Sequence, residues 1–307
     1  MRRYLGTILL SVVLGGAIAA AMHGARAQTQ TDRPAPASQC PGDGVWREPG
    51  RPSDVELPTA RRHLASAEVV LLGELHATPS HHAWHARTIA DLAGEGRPLV
   101  IGLEALPREA QGALDRWVAG EIDEAQFLAE SRWSERWGFP FALYRPVFAL
   151  ARAQKIPMLA LNIDRRWTRA VARDGLEAAS AAAGFPVGRP ADPPVAYVDS
   201  LADHFTGHGA AAGRLKVANF VAAQLVWDRA MAEAIAQARA ARPDARIVAL
   251  MGLGHIENGW GVPHQLAALD IRSVASAVPV EAGGDCAVVG RGYADLIVGL
   301  LPANGPK

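Results

Sequence analysis

The chain has 307 residues, of which 50% are apolar and 20% are charged. This composition excludes a disordered or fibrous protein and is sufficient for one large domain or two small ones. Basic residues and acidic residues both number 31, so the formal net charge is zero with neutral histidines. The charge balance therefore gives no reason to expect nucleic-acid binding.

The first 27 residues have the pattern of a secretory signal peptide. An apolar run from Leu5 to Met22 follows two arginines, and Ala25-Arg26-Ala27 supplies the small residues of a cleavage site. We predict cleavage after Ala27 and a periplasmic or exported mature protein. A retained membrane anchor is the alternative, because the run is long enough to span a bilayer. No cysteine adjoins the run, so we expect no lipid anchor.

A linker over residues 28–45 is predicted to precede a single domain over residues 46–303. The mature chain has two cysteines, Cys40 and Cys286, one near each end. An oxidising compartment favours their pairing, which would stabilise the fold by on the order of 3 to 5 kcal/mol. Two separate buried thiols are the alternative.

Short apolar runs alternate with helical patterns along the domain. Four runs are apolar on both faces, namely residues 68–73, 98–103, 157–162 and 246–251. Such runs are typical of strands buried on both sides of a sheet, and residues 271–277 and 296–301 are predicted to add two more. A helix is predicted over residues 79–93, with Thr78 as its cap. This alternation predicts an α/β fold with a mainly parallel sheet flanked by helices.

Two segments interrupt the alternation and are predicted to be helical insertions or a second small helical lobe. They cover about residues 106–150 and about residues 184–240. The first contains three closely spaced tryptophans, Trp117, Trp133 and Trp137. They belong either to a cover over the sheet or to a second layer of core.

Polar side chains follow the predicted strands, where ligands of open parallel sheets collect. The candidates for catalysis are Glu74, His76, Glu104 and His255. Each histidine comes three residues after a glycine, which is expected to let the backbone turn sharply and point the imidazole back over the sheet. The four groups are predicted to act as acid and base on a water, or to bind a divalent metal through Glu74, His76 and His255. The alternative is a set of polar groups satisfied within loops.

Supporting residues lie near the same edge. Asn162 and Arg165 follow the third predicted strand, and Gln224 and Asp228 lie among core residues of a helix predicted over residues 216–241. A buried polar group without a partner costs about 1–3 kcal/mol, so the last two must have partners. Either this helix forms the floor of the crevice and orients its histidines or an arginine, or it carries a purely structural network.

Three histidines, His81, His82 and His85, lie about one turn apart on the helix predicted over residues 79–93. Residues with this spacing share a helix face, so the helix is a candidate to present imidazoles to the same crevice. A solvated face at the start of a helix is the alternative.

Taken in order, these motifs resemble the ChaN family of haem-binding uptake proteins in the Tiki superfamily. The resemblance extends from about Glu68 to Ala275. It rests on these segments of the chain: Gly73-Glu74-Leu75-His76 with Pro79, His81 and His82; Gly102-Leu103-Glu104; Phe139-Pro140 to Tyr144-Arg145-Pro146; Asn162 with Arg165; Phe220-Val221, Ala223-Gln224 and Asp228 to Ala232; and Gly254-His255 with Gly259, Gly261 and Pro263.

The resemblance implies an α/β fold with helical insertions and an exported bacterial protein that acts in haem or iron uptake. It also implies that haems can bind face to face between two protomers, with outer-membrane uptake components as partners. Distant kinship is implied with metal-dependent proteases and erythromycin esterases, which use histidines of the Gly-x-x-His type and neighbouring glutamates.

Haem ligation in the family involves a tyrosine, for which Tyr144 is the candidate here, with Arg145 beside it to pair with a propionate. His81 and His82 are further haem-binding candidates, and the alternative for Tyr144 is a core aromatic. The chain departs from the family pattern at Ala77-Thr78, where Asp-Asn is common, and at Trp260, where a tyrosine is common.

Two functional classes follow. The resemblance favours an exported haem-binding protein of haem or iron uptake. The strand-end residues, taken alone, favour a metal-dependent hydrolase of the protease or esterase type. We predict the haem-binding protein and keep the hydrolase as the alternative.

Overall fold

Residues 39–207 and 216–302 are described by the computed structural model, with the backbone alone at residues 206 and 207. These residues belong to one compact unit. The predicted signal peptide and most of the predicted linker lie outside the described residues.

The described residues form one sheet of eight strands. The strands are β1 (Trp46–Arg47), β2 (Asp54–Val55), β3 (Val69–Glu74), β4 (Leu99–Pro107), β5 (Met158–Asn162), β6 (Arg246–Gly252), β7 (Val274–Glu281) and β8 (Leu296–Leu300). Their order across the sheet is β2-β1-β8-β7-β3-β6-β4-β5. The six strands from β8 to β5 are parallel, and β1 pairs antiparallel with both β8 and β2. The predicted mainly parallel sheet is confirmed.

The six strands predicted from apolar runs are all present. Every residue of β3 and β6 is buried, as expected for strands covered on both faces. Strand β4 extends further than predicted, to Pro107, through a register shift after Leu103 against β5. The sequence does not reveal β1 and β2, because two-residue strands are too short to show a periodicity.

Eleven α-helices accompany the sheet within the described ranges. They are α1 (Leu57–Ser66), α2 (Pro79–Ala93), α3 (Gln111–Ala119), α4 (Glu124–Ser131), α5 (Trp133–Arg136), α6 (Phe141–Gln154), α7 (Arg165–Asp174), α8 (Leu176–Ser180), α9 (Val195–Gly207), α10 (Val217–Ala241) and α11 (Val262–Ala267). Helix α2 has the predicted bounds, although the Thr78 side chain makes no capping hydrogen bond.

The helices form a layer on each face of the sheet. Because successive strand residues point to opposite faces, Val70 and Leu72 pack under the layer of α1 to α6, whereas Val69 and Leu71 pack against α10 and α11. Helices α7 and α8 pack on a third apolar cluster against α10. The result is a three-layer α/β/α arrangement.

The three tryptophans of the first insertion are part of the core. Trp117, Trp133 and Trp137 are each at most 5% exposed and pack in the cluster that includes α6 and the sheet. Of the two interpretations, the second layer of core is therefore the correct one for them.

Cys40 and Cys286 form a disulfide bond, as predicted. The bond links the segment before β1 to the connection between β7 and β8. It closes a loop across 246 residues of sequence. A loop of this length stabilises the folded chain by about 5 kcal/mol, through the entropy lost from the unfolded state.

The described helices include none with the length and apolar character needed to cross a membrane.

Candidate functional site

A cleft of about 680 Å³ opens beyond the carboxyl ends of β3 and β6. The two strands are neighbours in the sheet, so their C-terminal residues meet at one edge. Four of its lining residues are the predicted catalytic set, namely Glu74, His76, Glu104 and His255. The sheet order therefore brings together all four groups from three different strand ends.

Glu74, the last residue of β3, is almost fully buried behind His76. Its Oε1 accepts a 2.5 Å hydrogen bond from the Tyr144 hydroxyl and a 2.8 Å hydrogen bond from Nδ1 of His76. Burial alone would raise the pKa of Glu74, but the bond from His76 and the nearby imidazoles outweigh burial and lower it to about 2. Glu74 is thus a carboxylate at neutral pH.

His76 is the more accessible partner, with 26% of its side chain exposed. It packs against Trp137 and Phe139, with ring centroids 4.6 and 5.1 Å away. Burial lowers the pKa of His76, but the hydrogen bond to Glu74 raises it above the ordinary value. The ring is oriented by Glu74 through Nδ1, and its other nitrogen, Nε2, is left for the cleft.

His255 lies between two buried carboxylates. Its Nδ1 is 2.6 Å from Oδ1 of Asp228, and its Nε2 is 3.5 Å from Oε1 of Glu104. Burial lowers the pKa of His255, but Glu104 and Asp228 together raise it to about 10. His255 is therefore an imidazolium at neutral pH.

The two carboxylates are held by further hydrogen bonds. The backbone N–H of Gly252 donates to Oε2 of Glu104 at 2.6 Å, and the Tyr197 hydroxyl donates to Oδ2 of Asp228 at 2.8 Å. Burial raises the pKa of Asp228, which the bonds from His255 and Tyr197 oppose. For Glu104 the neighbouring His255 prevails over burial and lowers the pKa.

The prediction that the glycines before the two histidines serve sharp turns is wrong. Gly73 lies inside β3, and Gly252, the last residue of β6, has a φ of −58°, which any residue adopts. A Cβ on Gly73 would lie 2.7 Å from Leu253, and one on Gly252 would lie 3.0 Å from the His76 ring. Both glycines therefore provide space for close packing at the cleft.

The predicted supporting residues surround the same edge. The Asn162 amide donates to the carbonyl of Glu104 at 3.0 Å, and Gln224 lines the cleft. Arg165 approaches the carbonyl of Trp137 at 3.5 Å and lines a second cavity of about 210 Å³. Trp227 of α10 lines both cavities.

The predicted haem-binding residues do not form one surface. Tyr144 is 2% exposed and points inward to Glu74, whereas Arg145 is exposed and pairs with Glu124 at 2.6 Å. Adjacent residues on a helix point about 100° apart, which is why the two side chains contact different carboxylates, Glu74 and Glu124. His81 accepts a hydrogen bond from the backbone of Leu75 and is buried.

Tyr197 is a site residue that the sequence does not reveal. It lies in α9, lines the cleft beside Trp260 and holds Asp228. A tyrosine just inside a helix after a proline-rich stretch carries no chemical pattern. Only its hydrogen bond to Asp228, a residue far from it in the sequence, identifies it.

The family described as haem-binding uptake, Tiki superfamily, ChaN matches residues 60–266. The chain belongs to this family. The resemblance stated from the motifs is thereby confirmed.

The chain is similar to several solved structures. The structure described as cofacial haem binding to ChaN of Campylobacter jejuni has a TM-score of 0.62 and 14% sequence identity, covering 82% of this chain and 95% of that one. A mutant of the erythromycin esterase EreC in its open conformation has a TM-score of 0.46 and 13% identity, covering 76% of each chain. No curated protein matches the chain significantly.

Proposed function

We propose that the chain is an exported haem-binding protein of haem or iron uptake, with the macrocycle in the cleft beyond β3 and β6. The family and the haem-bound C. jejuni relative support this proposal. The observation that carries it is His76, which lines the cleft while Glu74 engages its Nδ1. A histidine that ligates a metal usually donates its second ring nitrogen to such a carboxylate, which fixes the ring and makes the free nitrogen more basic. We therefore assign Nε2 of His76 as the nitrogen that would hold the haem iron.

The walls of the cleft suit a flat apolar ring. Phe139, Trp227, Trp260 and Tyr197 contribute aromatic side chains to its lining. Aromatic faces provide large contact areas at low conformational cost. Haem iron, when bound, would supply the redox and ligand-binding chemistry, and the protein would supply the His76 nitrogen and the apolar walls.

A cluster of five arginines lies beside the cleft and supplies positive charge for haem propionates. The cavity that shares Trp227 with the cleft is lined by Arg132, Arg136, Arg165, Arg166 and Arg169, and also by Asp164 and by Glu135, which pairs with Arg132. Nη1 of Arg136 is buried without a hydrogen-bond partner among the described residues. Arginine binds carboxylates through two parallel hydrogen bonds, so this cavity fits the acidic edge of a haem.

We extend the proposal to the partners of the protein. Two protomers would hold paired haems between them, an arrangement that the cofacial haem binding described for the C. jejuni protein supports. Export through the predicted signal peptide would place the protein where outer-membrane uptake components deliver or accept haem. The disulfide between Cys40 and Cys286 is consistent with an oxidising compartment.

A titration of the mature chain, residues 28–307, with ferric haemin tests the haem proposal. We expect a saturable Soret shift at micromolar protein, and His76→Ala should raise the Kd at least about tenfold and alter the band position. His63→Ala, an exposed histidine of α1, is the matched control and should bind like the wild type. The proposal fails if no saturable shift occurs or if both variants bind equally.

The hydrolase remains the second candidate, because the cleft pairs an acid with a base. The His255 imidazolium can donate a proton, and the His76–Glu74 pair can accept one from a water. In the metal-dependent form of this hydrolase, which the sequence also predicts, Glu74, His76 and His255 would hold the metal. Ester or peptide hydrolysis that His255→Gln abolishes, in a protein that shows no Soret shift with haemin, would establish this function instead.

A further inference from the structure

Two buried histidines of α2 point their lone pairs at one carboxylate oxygen. Nε2 of His82 lies 2.9 Å from the carbonyl oxygen of His76, and Nε2 of His85 lies 3.0 Å from that of Gly73. A carbonyl oxygen only accepts, so both Nε2 atoms must carry hydrogen and donate. In neutral rings, Nδ1 of each histidine is then a bare acceptor.

These two Nδ1 acceptors face a third acceptor, Oε2 of Glu74. Nδ1 of His82 and Nδ1 of His85 each lie 3.4 Å from Oε2 of Glu74. The other oxygen of Glu74 already accepts the hydrogen bonds from Tyr144 and His76. Neither ring nitrogen, nor Oε2, has a hydrogen-bond partner among the described residues.

Such a convergence of acceptors needs a positive charge between them. Glu74, His82 and His85 are each at most 2% exposed, so bulk water is not available to solvate the lone pairs. The three atoms lie within 4.8 Å of one another, close enough to share one ion.

We propose that Glu74 Oε2, His82 Nδ1 and His85 Nδ1 bind a divalent transition metal of the zinc class, in a site that shares Glu74 with the lining of the cleft and uses two histidines that do not line it. A tetrahedral zinc ion holds nitrogen and oxygen at about 2.0–2.2 Å, which places its ligand atoms about 3.3–3.6 Å apart. The two observed spacings of 3.4 Å match that edge length. Two imidazoles and one carboxylate are ligands typical of zinc. In both histidines the other ring nitrogen, Nε2, donates to a backbone carbonyl, as the second ring nitrogen of a metal-binding histidine usually does.

The site would link helix α2 to the end of β3, directly behind the residue that orients His76. It uses the oxygen of Glu74 that faces away from His76, so both roles of the carboxylate are compatible. Because all three ligands are buried, the ion would be structural and would exchange slowly.

Metal analysis of the mature chain, purified without haem from zinc-supplemented medium, tests the proposal. Elemental mass spectrometry should find about one zinc per chain. His82→Gln and His85→Gln should each lower zinc content or affinity at least about tenfold, whereas His63→Gln should leave both unchanged. Cobalt loading of the chelated wild type should give the intense visible bands of a tetrahedral site, a readout that does not depend on whether the variants fold.

Three results would overturn the site. The first is a wild type that holds no zinc and binds no cobalt after chelation and reloading. The second is metal that remains at full occupancy in folded His85→Gln. The third is metal lost in His76→Ala but kept in His82→Gln and His85→Gln, which would place the ion in the cleft. None of these outcomes depends on haem binding, so the two proposals fail or succeed separately.

Discussion

Two clusters of histidine, carboxylate and tyrosine meet at the end of the sheet, and they differ in the ratio of carboxylates to imidazoles. The Glu74 cluster has one carboxylate and three close imidazoles, namely Glu74, His76, His82 and His85, with Tyr144. The His255 cluster has one imidazole and two carboxylates, namely His255, Glu104 and Asp228, with Tyr197.

The ratio of carboxylates to imidazoles decides which cluster contains a protonated imidazole. Burial lowers the pKa of His85 to about 4, because a single carboxylate cannot offset desolvation for every neighbouring ring. Two carboxylates around one ring instead raise the pKa of His255 to about 10. The same side-chain types thus produce a cluster with unmatched acceptors and a cluster with a built-in cation.

Removal of Asp228 should break the His255 cluster and have the largest effect. Asp228→Ala leaves the buried imidazolium with a single distant carboxylate and should lower the free energy of unfolding by about 3 to 5 kcal/mol. Urea denaturation measures the change. Asp174→Ala, which removes a fully exposed ion pair with Arg173, is the control and should have no measurable effect. Equal stability of the two variants would contradict the conclusion that His255 is a buried cation in this cluster.

The two clusters should fail at opposite ends of the pH scale. His255 has a folded pKa of about 10 against an ordinary 6.5, so its stabilisation is complete below pH 6.5 and is lost as the pH rises towards 10. Glu74 has a folded pKa of about 2 against an ordinary 4.5, so its stabilisation is complete above pH 4.5 and is lost as the pH falls towards 2.

Thermal unfolding from pH 3 to pH 10 checks this opposition. His255→Gln should flatten the alkaline decline of Tm, and Glu74→Gln should flatten the acidic decline. A variant that flattens the other limb, or neither, would show that the groups do not titrate as described.

Substitution of the tyrosine in each cluster should give the smallest loss of stability, and the two losses can be compared directly. Tyr144→Phe removes a hydrogen bond to the lone carboxylate of its cluster and should cost about 1.5–3 kcal/mol. Tyr197→Phe should cost about 0.5–1.5 kcal/mol, because Asp228 keeps the charged donor His255. Paired denaturation curves measure both values. A larger loss of stability for Tyr197→Phe would contradict the charges assigned to the two clusters.

Much of the site was predictable because it lies at strand ends. Glu74 and Glu104 follow or end apolar runs, and His255 lies three residues beyond such a run. Parallel strands deliver their carboxyl ends to one edge, so the local pattern alone is enough to group these residues. The pairing of Asp228 with His255 was not predictable in detail, since it depends on how α10 packs against the sheet.

Other differences between the sequence predictions and the structure also result from packing. Arg145 follows Tyr144 in sequence, yet helix geometry sends the two side chains to different faces. The glycines before the histidines are needed for space next to Leu253 and His76, which no single segment reveals. The inward direction of His85 became clear only from its bond to the carbonyl of Gly73.

The sequence by itself determined the α/β class, the six parallel strands and the bounds of α2, and it favoured the pairing of Cys40 with Cys286. These features follow from local periodicity, composition and the scarcity of cysteine, all of which can be seen within one segment or in a count. Only the tertiary structure decided that β3 and β6 are neighbours, and therefore that Glu74 and His76 share one cleft with Glu104 and His255. Strand order is set by long-range packing of both helical layers, and side chains far apart in the chain acquire their protonation states only once that packing has removed water from around them.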